Sequence, residues 1–166
     1  MKLAFVGQRP ETWAFSIDSE AYEVFELLLW KSISRYVERE FETFFCGMEK
    51  GMDIMCGGIV SELKKIYCLD LKLICVVPYK DRASGWNDTW RMRYDQLLKC
   101  ADEVVQLFDQ YRGNCLYVRD RFLVEKCDEL LSLYDGRGSG NTAYAIKYAR
   151  QLGRRMSMIR PDGLAK

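Results

Sequence analysis

Leu130-Leu131-Ser132-Leu133-Tyr134-Asp135-Gly136-Arg137-Gly138-Ser139-Gly140-Asn141-Thr142 decides how this chain is read. An apolar run with strand character enters a glycine-rich turn, and the turn opens into residues suited to start a helix. That order aims the free N–H groups of a first helical turn at an anion. Glycine lets the backbone approach a ligand closely, and Ser139, Asn141 and Thr142 add short donors. Ser139 or Asn141 can also be read as a plain helix cap, a role compatible with anion binding. The glycines Gly136, Gly138 and Gly140 are separated by single residues and no lysine follows, which excludes both the Walker A and the G-x-G-x-x-G spacings. The ligand class this turn favours is a phosphate-bearing small molecule.

Working outward, the same strand–turn–helix unit recurs. Lys2 to Val6 is an apolar strand closed by Gly7-Gln8-Arg9-Pro10. The following helix is capped by Asp18 or Ser19 and shows a stripe at Ala21, Val24, Phe25 and Leu28, extended by Tyr36 and Val37. Glu42 to Cys46 reads as a second strand, followed by the turn Gly47 to Asp53 and a helix to about Tyr67. Gly57-Gly58 inside that helix calls for close packing, since each glycine costs about 1 kcal/mol against alanine. Leu71 to Val77, stopped by Pro78, suits a strand covered on both faces. A helix containing Trp90, Tyr94, Leu97 and Leu98 follows, then a strand at Glu103 to Phe108 and a helix over about 114–126. The strand 129–134, a helix over about 141–152 and a short strand at 156–159 complete the series. Such alternation predicts an α/β fold: a three-layer, Rossmann-like sandwich with a mostly parallel sheet, in one domain spanning residues 1–166. Ligands of such sheets gather at the carboxyl ends of the strands near the switch in strand order, where all three glycine turns should lie.

Several side chains around these turns are candidates for ligand contact. Arg9 can clamp a phosphate or carboxylate through its planar fork, or stand as an ordinary surface arginine. Asp53 reads as a helix cap, with ribose contact or catalysis as the alternative. Trp86, in a polar loop past the third strand, and Tyr79, just after Pro78, are the expected stacking surfaces for a base. The spacing of Trp90 and Tyr94 is that of core packing.

Composition excludes much else. Hydrophobic residues make up 49% and charged residues 30% of 166, ordinary values for a globular chain of a size that buries roughly two thirds of its unfolded surface. The formal net charge of +1 offers no global field for a polyanion, so nucleic acid is not the expected partner. The local excess at Arg150, Arg154, Arg155 and Arg160 reads as a solvated helix end. Histidine is absent, which removes the Ser-His-Asp triad, the Cys-His pair and the common zinc spacings; no metal site is expected. The seven scattered cysteines form no CxxC pair and read mostly as reduced core residues. The apolar run at 2–6 is too short for a signal peptide and no later run approaches membrane-spanning length, so a cytoplasmic protein without a membrane partner is expected.

Taken together, Gly7-Gln8-Arg9-Pro10, Cys46-Gly47-Met48 to Asp53, Val77-Pro78-Tyr79, Trp86, Ala101-Asp102, Arg119 to Val124 and Leu131 to Gly136 resemble the YpsA-like branch of the SLOG superfamily, over nearly the whole chain. The superfamily takes its name from DprA and the LONELY GUY phosphoribohydrolases. The resemblance implies a Rossmann-like fold and a nucleotide-derived ligand. Gly7, Arg9 and Pro10 match the branch's G-H-R-P turn, with Gln8 in the place of histidine. Gly47, Met48, Gly51 and Asp53 match the second turn, and Gly58 stands where the resemblance implies glutamate. Arg119 matches an arginine opening the fourth helix, with Asp120 in the place of asparagine. The turn at Gly140-Asn141-Thr142 is similar to the P-G-G-x-G-T-x-x-E turn of LONELY GUY enzymes, but Tyr144 and Ala145 follow and the glutamate is missing.

Three functions follow as expectations. The first is a binding or sensing module for a nucleotide or nucleotide-derived metabolite such as NAD, ADP-ribose or a nucleoside monophosphate. Its ligand set is Gly7, Gln8, Arg9, Gly47, Met48, Gly51, Asp53, Pro78, Tyr79, Trp86, Arg119, Asp135, Gly136, Gly138, Ser139, Gly140, Asn141 and Thr142. The second is a phosphoribohydrolase or other N-glycosidic-bond hydrolase using Asp53 or Asp135, although no pair of acids with separated roles stands out. The third is single-strand nucleic-acid binding of the DprA kind, which the neutral charge disfavours. Relatives of this fold pair through helix faces, so a homodimer is the expected assembly.

Overall fold

The computed structural model describes residues 1–160. Six strands, β1 (Lys2–Gly7), β2 (Thr43–Cys46), β3 (Lys72–Val77), β4 (Glu103–Gln106), β5 (Glu129–Leu133) and β6 (Arg155–Ile159), form one sheet in the order β4-β3-β2-β1-β5-β6. Every pairing is parallel. The helices are α1 (Glu20–Glu38), α2 (Met52–Ile66), α3 (Asp88–Cys100), α4 (Cys115–Lys126) and α5 (Asn141–Gln151), with a short 3₁₀ turn at Pro10–Thr12. The expected Rossmann-like α/β sandwich is thus present, with an entirely parallel sheet.

Strand alternation distributes the core to the two faces. Leu3, Phe5, Phe44, Leu73, Cys75 and Leu131 pack under α1, α2 and α3, and Ala4, Val6, Phe45, Val76 and Leu130 pack under α4 and α5. The chain winds from β1 to β4 with its helices on the first face, then returns past β1 to β5 with its helices on the second. The reversal falls between β1 and β5, which are hydrogen-bond neighbours. A crevice at their carboxyl ends follows from that topology, because the helices after β1 and β5 depart to opposite faces.

Two local expectations change. The buried face of α1 is Tyr22, Phe25, Leu29, Ile33 and Tyr36, while Val24 is 48% exposed. The apolar residues of α1 nearly encircle it, so more than one stripe satisfies helical spacing, and only packing against α2 selects between them. The glycine pair in α2 is half explained. A Cβ on Gly57 would lie 2.7 Å from Leu97 Cδ2 of α3 and 3.3 Å from Cys46 Sγ of β2, whereas one on Gly58 would meet open space. Ser19 is the cap of α1, its side chain accepting from Tyr22 N. All seven cysteines are unpaired, Cys68 exposed and Cys100 half-buried. No helix among the described residues is long and apolar enough to cross a membrane.

Candidate functional site

The three glycine turns meet. Gln8 N donates to Leu133 O (3.2 Å) and Gln8 Oε1 accepts from Asp135 N (3.0 Å), which fastens the β1 turn to the β5 turn. On its other side the β1 turn presses on the β2 turn. A Cβ on Gly51, whose φ is +100°, would lie 2.9 Å from both Pro10 Cδ and Trp13 Cζ2, so only glycine fits there. Trp13 Nε1 in turn donates to Gln8 O (2.9 Å).

A cleft of about 380 Å³ opens where these turns converge, lined by Gly7, Gln8, Arg9, Thr12, Glu49, Arg119, Arg137, Ser139, Gly140, Asn141 and Thr142. The start of α5 points into it. Gly140 is the N-cap, at φ +94° and ψ 173°, and no side chain among the described residues caps the helix. The first turn carries no acidic residue, so the positive end of the helix is left to whatever enters the cleft. Asp135 shapes the turn before it, accepting from Arg137 N (3.0 Å) and Arg137 Nε (2.7 Å).

Behind the cleft lies a buried ionic cluster. Glu49 is 4% exposed and takes Arg82 Nη2 on both oxygens (2.8 and 2.6 Å), while Arg9 and Arg119 stand farther off at 3.5 Å. Burial would push this carboxyl up, but the guanidiniums of Arg119, Arg82 and Arg9 prevail and hold it below the usual range, ionised at neutral pH. Arg119 also donates to Gly47 O (3.2 Å) and, from Nε and Nη2, to Asp120 Oδ1 (2.9 and 2.6 Å). Among the described residues Asp120 Oδ2 and Arg82 Nε are buried without a partner. Burial pushes Asp120 up to about 6 despite the opposing charge of Arg119. Asp53 lies deepest and accepts from Gly7 N (3.0 Å). Burial, with added repulsion from Glu49 and Asp120, pushes it up to about 8 against the pull of Arg119, so it keeps a proton at neutral pH.

Of the residues singled out in the sequence, the cleft gathers Gly7, Gln8, Arg9, Arg119, Ser139, Gly140, Asn141 and Thr142. Gly47, Met48, Gly51 and Asp53 form its buried underside, with Met48 wholly buried at φ +56°. Asp135, Gly136 and Gly138 shape the β5 turn but do not line the cleft. Pro78 is buried, and Tyr79 packs edge-on against Tyr111 with ring centroids 5.5 Å apart. Trp86 is not at the cleft: it is buried edge-on against Tyr94, with the Arg82 guanidinium over its ring. A tryptophan in a polar stretch reads as exposed, yet the loop folds back and places this one in the core beneath α3. Thr12, Glu49 and Arg137 line the cleft and carry no motif of their own. Glu49 lies between Gly47 and Gly51, but its burial comes from Arg82 and Arg119, which no local pattern announces. Asp102, part of the family-like pattern, accepts from Leu73 N (2.8 Å) and pairs with Lys64, a structural tie at the start of β3. Among the described residues no group of three or more acidic, Cys or His side chains is placed to hold a metal.

Fold and site together define a doubly wound, parallel-sheet protein with a cationic cleft at its switch point. The chain belongs to the YpsA family, described as "YspA SLOG family", whose model matches residues 3–163. A UPF0398 protein of Bacillus pumilus is 30% identical over 150 residues, covering 89% of this chain and 80% of its own length. UPF0398 proteins of Bacillus thuringiensis and Bacillus cereus are 27% identical over 154 residues, covering 91% of this chain and 83% of theirs.

Proposed function

We propose that this protein binds a nucleotide or nucleotide-derived small molecule, with phosphate at the start of α5. One observation carries the reading: an uncapped helix start, a glycine-only N-cap and three arginines, Arg9, Arg119 and Arg137, line a single cleft at the β1–β5 switch point. Helix N–H groups and planar guanidiniums are complementary to phosphate, and a cleft of about 380 Å³ is within the range for small-molecule sites. NAD, ADP-ribose and nucleoside monophosphates are the ligands to try first. Calorimetry against that panel, with inorganic phosphate as reference, tests the proposal. Binding that is lost in Gly140→Ala supports it, and absence of binding by folded protein refutes it.

Hydrolysis draws less support, because Asp53, the carboxyl that keeps a proton, is sealed beneath Gly7 and does not line the cleft. The free thiols are in keeping with a reducing, cytoplasmic setting. For assembly, the outer face of α1, α2 and α3 suits a second copy. A cavity of about 370 Å³ there carries both Glu26 and Glu62 and both Lys65 and Arg93, a self-complementary set. Sedimentation of the wild type and of Met92→Glu, which charges an exposed apolar residue on that face, decides between dimer and monomer.

A further inference from the structure

Among the described residues Glu49 is the one carboxylate that lines the cleft, and nothing in the phosphate reading accounts for it. A negative charge beside a phosphate site weakens phosphate binding, so its presence there needs a second purpose. Its two oxygens are unequally used. Oε1 accepts from Arg82 Nη2 (2.8 Å) and from Lys50 N (3.2 Å). Oε2 has one close partner, Arg82 Nη2 at 2.6 Å, while Arg9 and Arg119 stand at the outer limit of 3.5 Å. A carboxylate oxygen offers about two acceptor positions, and long contacts fill them poorly. Oε2 therefore retains capacity for a short donor arriving through the cleft.

Topology says what that donor is. In dinucleotide-binding doubly wound sheets the pyrophosphate sits at a helix start by the switch point, and an acidic residue from a nearby strand end receives the ribose 2′-hydroxyl. Here Glu49 follows β2, which borders β1 on the side away from β5, and its side chain lines the same cleft as the start of α5. Three arginines keep it ionised, which makes it an acceptor only, suited to hydroxyl groups and unsuited to a second anion. Asp53 cannot serve, since it is engaged by Gly7 N on the buried side of the turn.

We propose that Glu49 accepts the 2′-hydroxyl of a ribose through Oε2, making the cleft selective for ribonucleotides over their deoxy forms. The proposal rests on the phosphate site proposed above and adds the sugar to it. The test is calorimetry of the intact protein with inorganic phosphate, AMP, ribose 5-phosphate, 2-deoxyribose 5-phosphate and 2′,3′-dideoxy-AMP. In the wild type, AMP should bind at least tenfold tighter than its dideoxy form, and ribose 5-phosphate several-fold tighter than the deoxy sugar, the range for hydrogen bonds to a charged acceptor. Glu49→Gln should shrink the AMP gap below threefold while tightening inorganic phosphate, because Arg9 and Arg119 lose a competing anion. A residue serving only as a counterion would produce the second change without the first. Phosphate binding with equal affinity for the hydroxylated and deoxy members of both pairs overturns the sugar assignment alone, and so does a gap that survives in Glu49→Gln. Failure of phosphate and every phosphate-bearing probe to bind overturns the phosphate site as well. The wild-type comparison needs no variant, so it decides even if Glu49→Gln does not fold.

Discussion

The two ends of the sheet each hold a buried glutamate, and they are built differently. At the amino end, Glu129 of β5 accepts from Tyr36 Oη (2.7 Å), Ser157 Oγ (3.2 Å) and Arg39 Nη2 (3.0 Å). Arg39 lies over the rings of Tyr36 and Phe41, and among the described residues this group has no buried polar atom without a partner. At the carboxyl end, Glu49 faces Arg9, Arg82 and Arg119, of which Arg119 also serves Asp53 and Asp120, and among the described residues two buried polar atoms, Asp120 Oδ2 and Arg82 Nε, go unpaired. A network in which each buried polar atom has a partner fixes strand register. One with surplus charge and unanswered atoms is costly for stability alone and is suited to a site that receives something else.

The sharpest way to break the comparison is to remove the central cation. Arg119→Ala leaves Glu49, Asp53 and Asp120 without their shared partner, and urea denaturation should show a loss of about 3–5 kcal/mol. Next comes pH. Asp53 holds its proton to about 8 in the folded protein and loses it near the ordinary carboxylate value when unfolded. Its penalty is therefore absent at low pH, grows as pH rises, and levels off above the folded value. Asp53→Asn still offers an oxygen to Gly7 N and does not titrate. Its stability relative to the wild type should rise by up to about 1.4 kcal/mol per pH unit between pH 5 and 7. A flat difference would show that Asp53 is ionised in the fold and that the two ends are built alike.

Gly140→Ala tests the mouth of the cleft. At φ +94° and ψ 173° the backbone is in a region reserved for glycine, so the strain should cost about 1–3 kcal/mol in thermal unfolding and weaken phosphate binding. At the amino end, Glu129→Gln should cost about 1–2 kcal/mol while leaving phosphate affinity unchanged, a separation that distinguishes a structural network from a ligand site. The smallest stability effect belongs to Arg137→Ala. Arg137 is an exposed cleft residue, so the change should stay within about 0.5 kcal/mol while phosphate affinity falls several-fold.

Much of this was visible in the chain itself, for physical reasons. Strands β1, β2, β3 and β5 are short apolar runs with glycine or proline at or soon after their ends, and α1, α3 and α5 repeat their buried residues near 3.6, so their order could be read directly. Strand neighbours could not be read in the same way. Leu3 and Glu129 are partners across most of the chain, and that one adjacency creates the cleft. Glycine turns announce themselves because their backbone requirement is local. Glu49 did not, because its burial depends on Arg82 and Arg119 arriving from two other elements. Trp86 failed in the opposite direction, since local polarity says nothing about a loop that folds inward.

The Gln8 amide carries one more consequence. It joins the β1 and β5 turns through Asp135 N, at the place where the family resemblance puts an imidazole. An imidazole in that seam would change charge near neutrality and loosen or tighten the clasp with acidity. A carboxamide has no such proton to gain, so in this protein the clasp made by residue 8 does not itself answer to acidity.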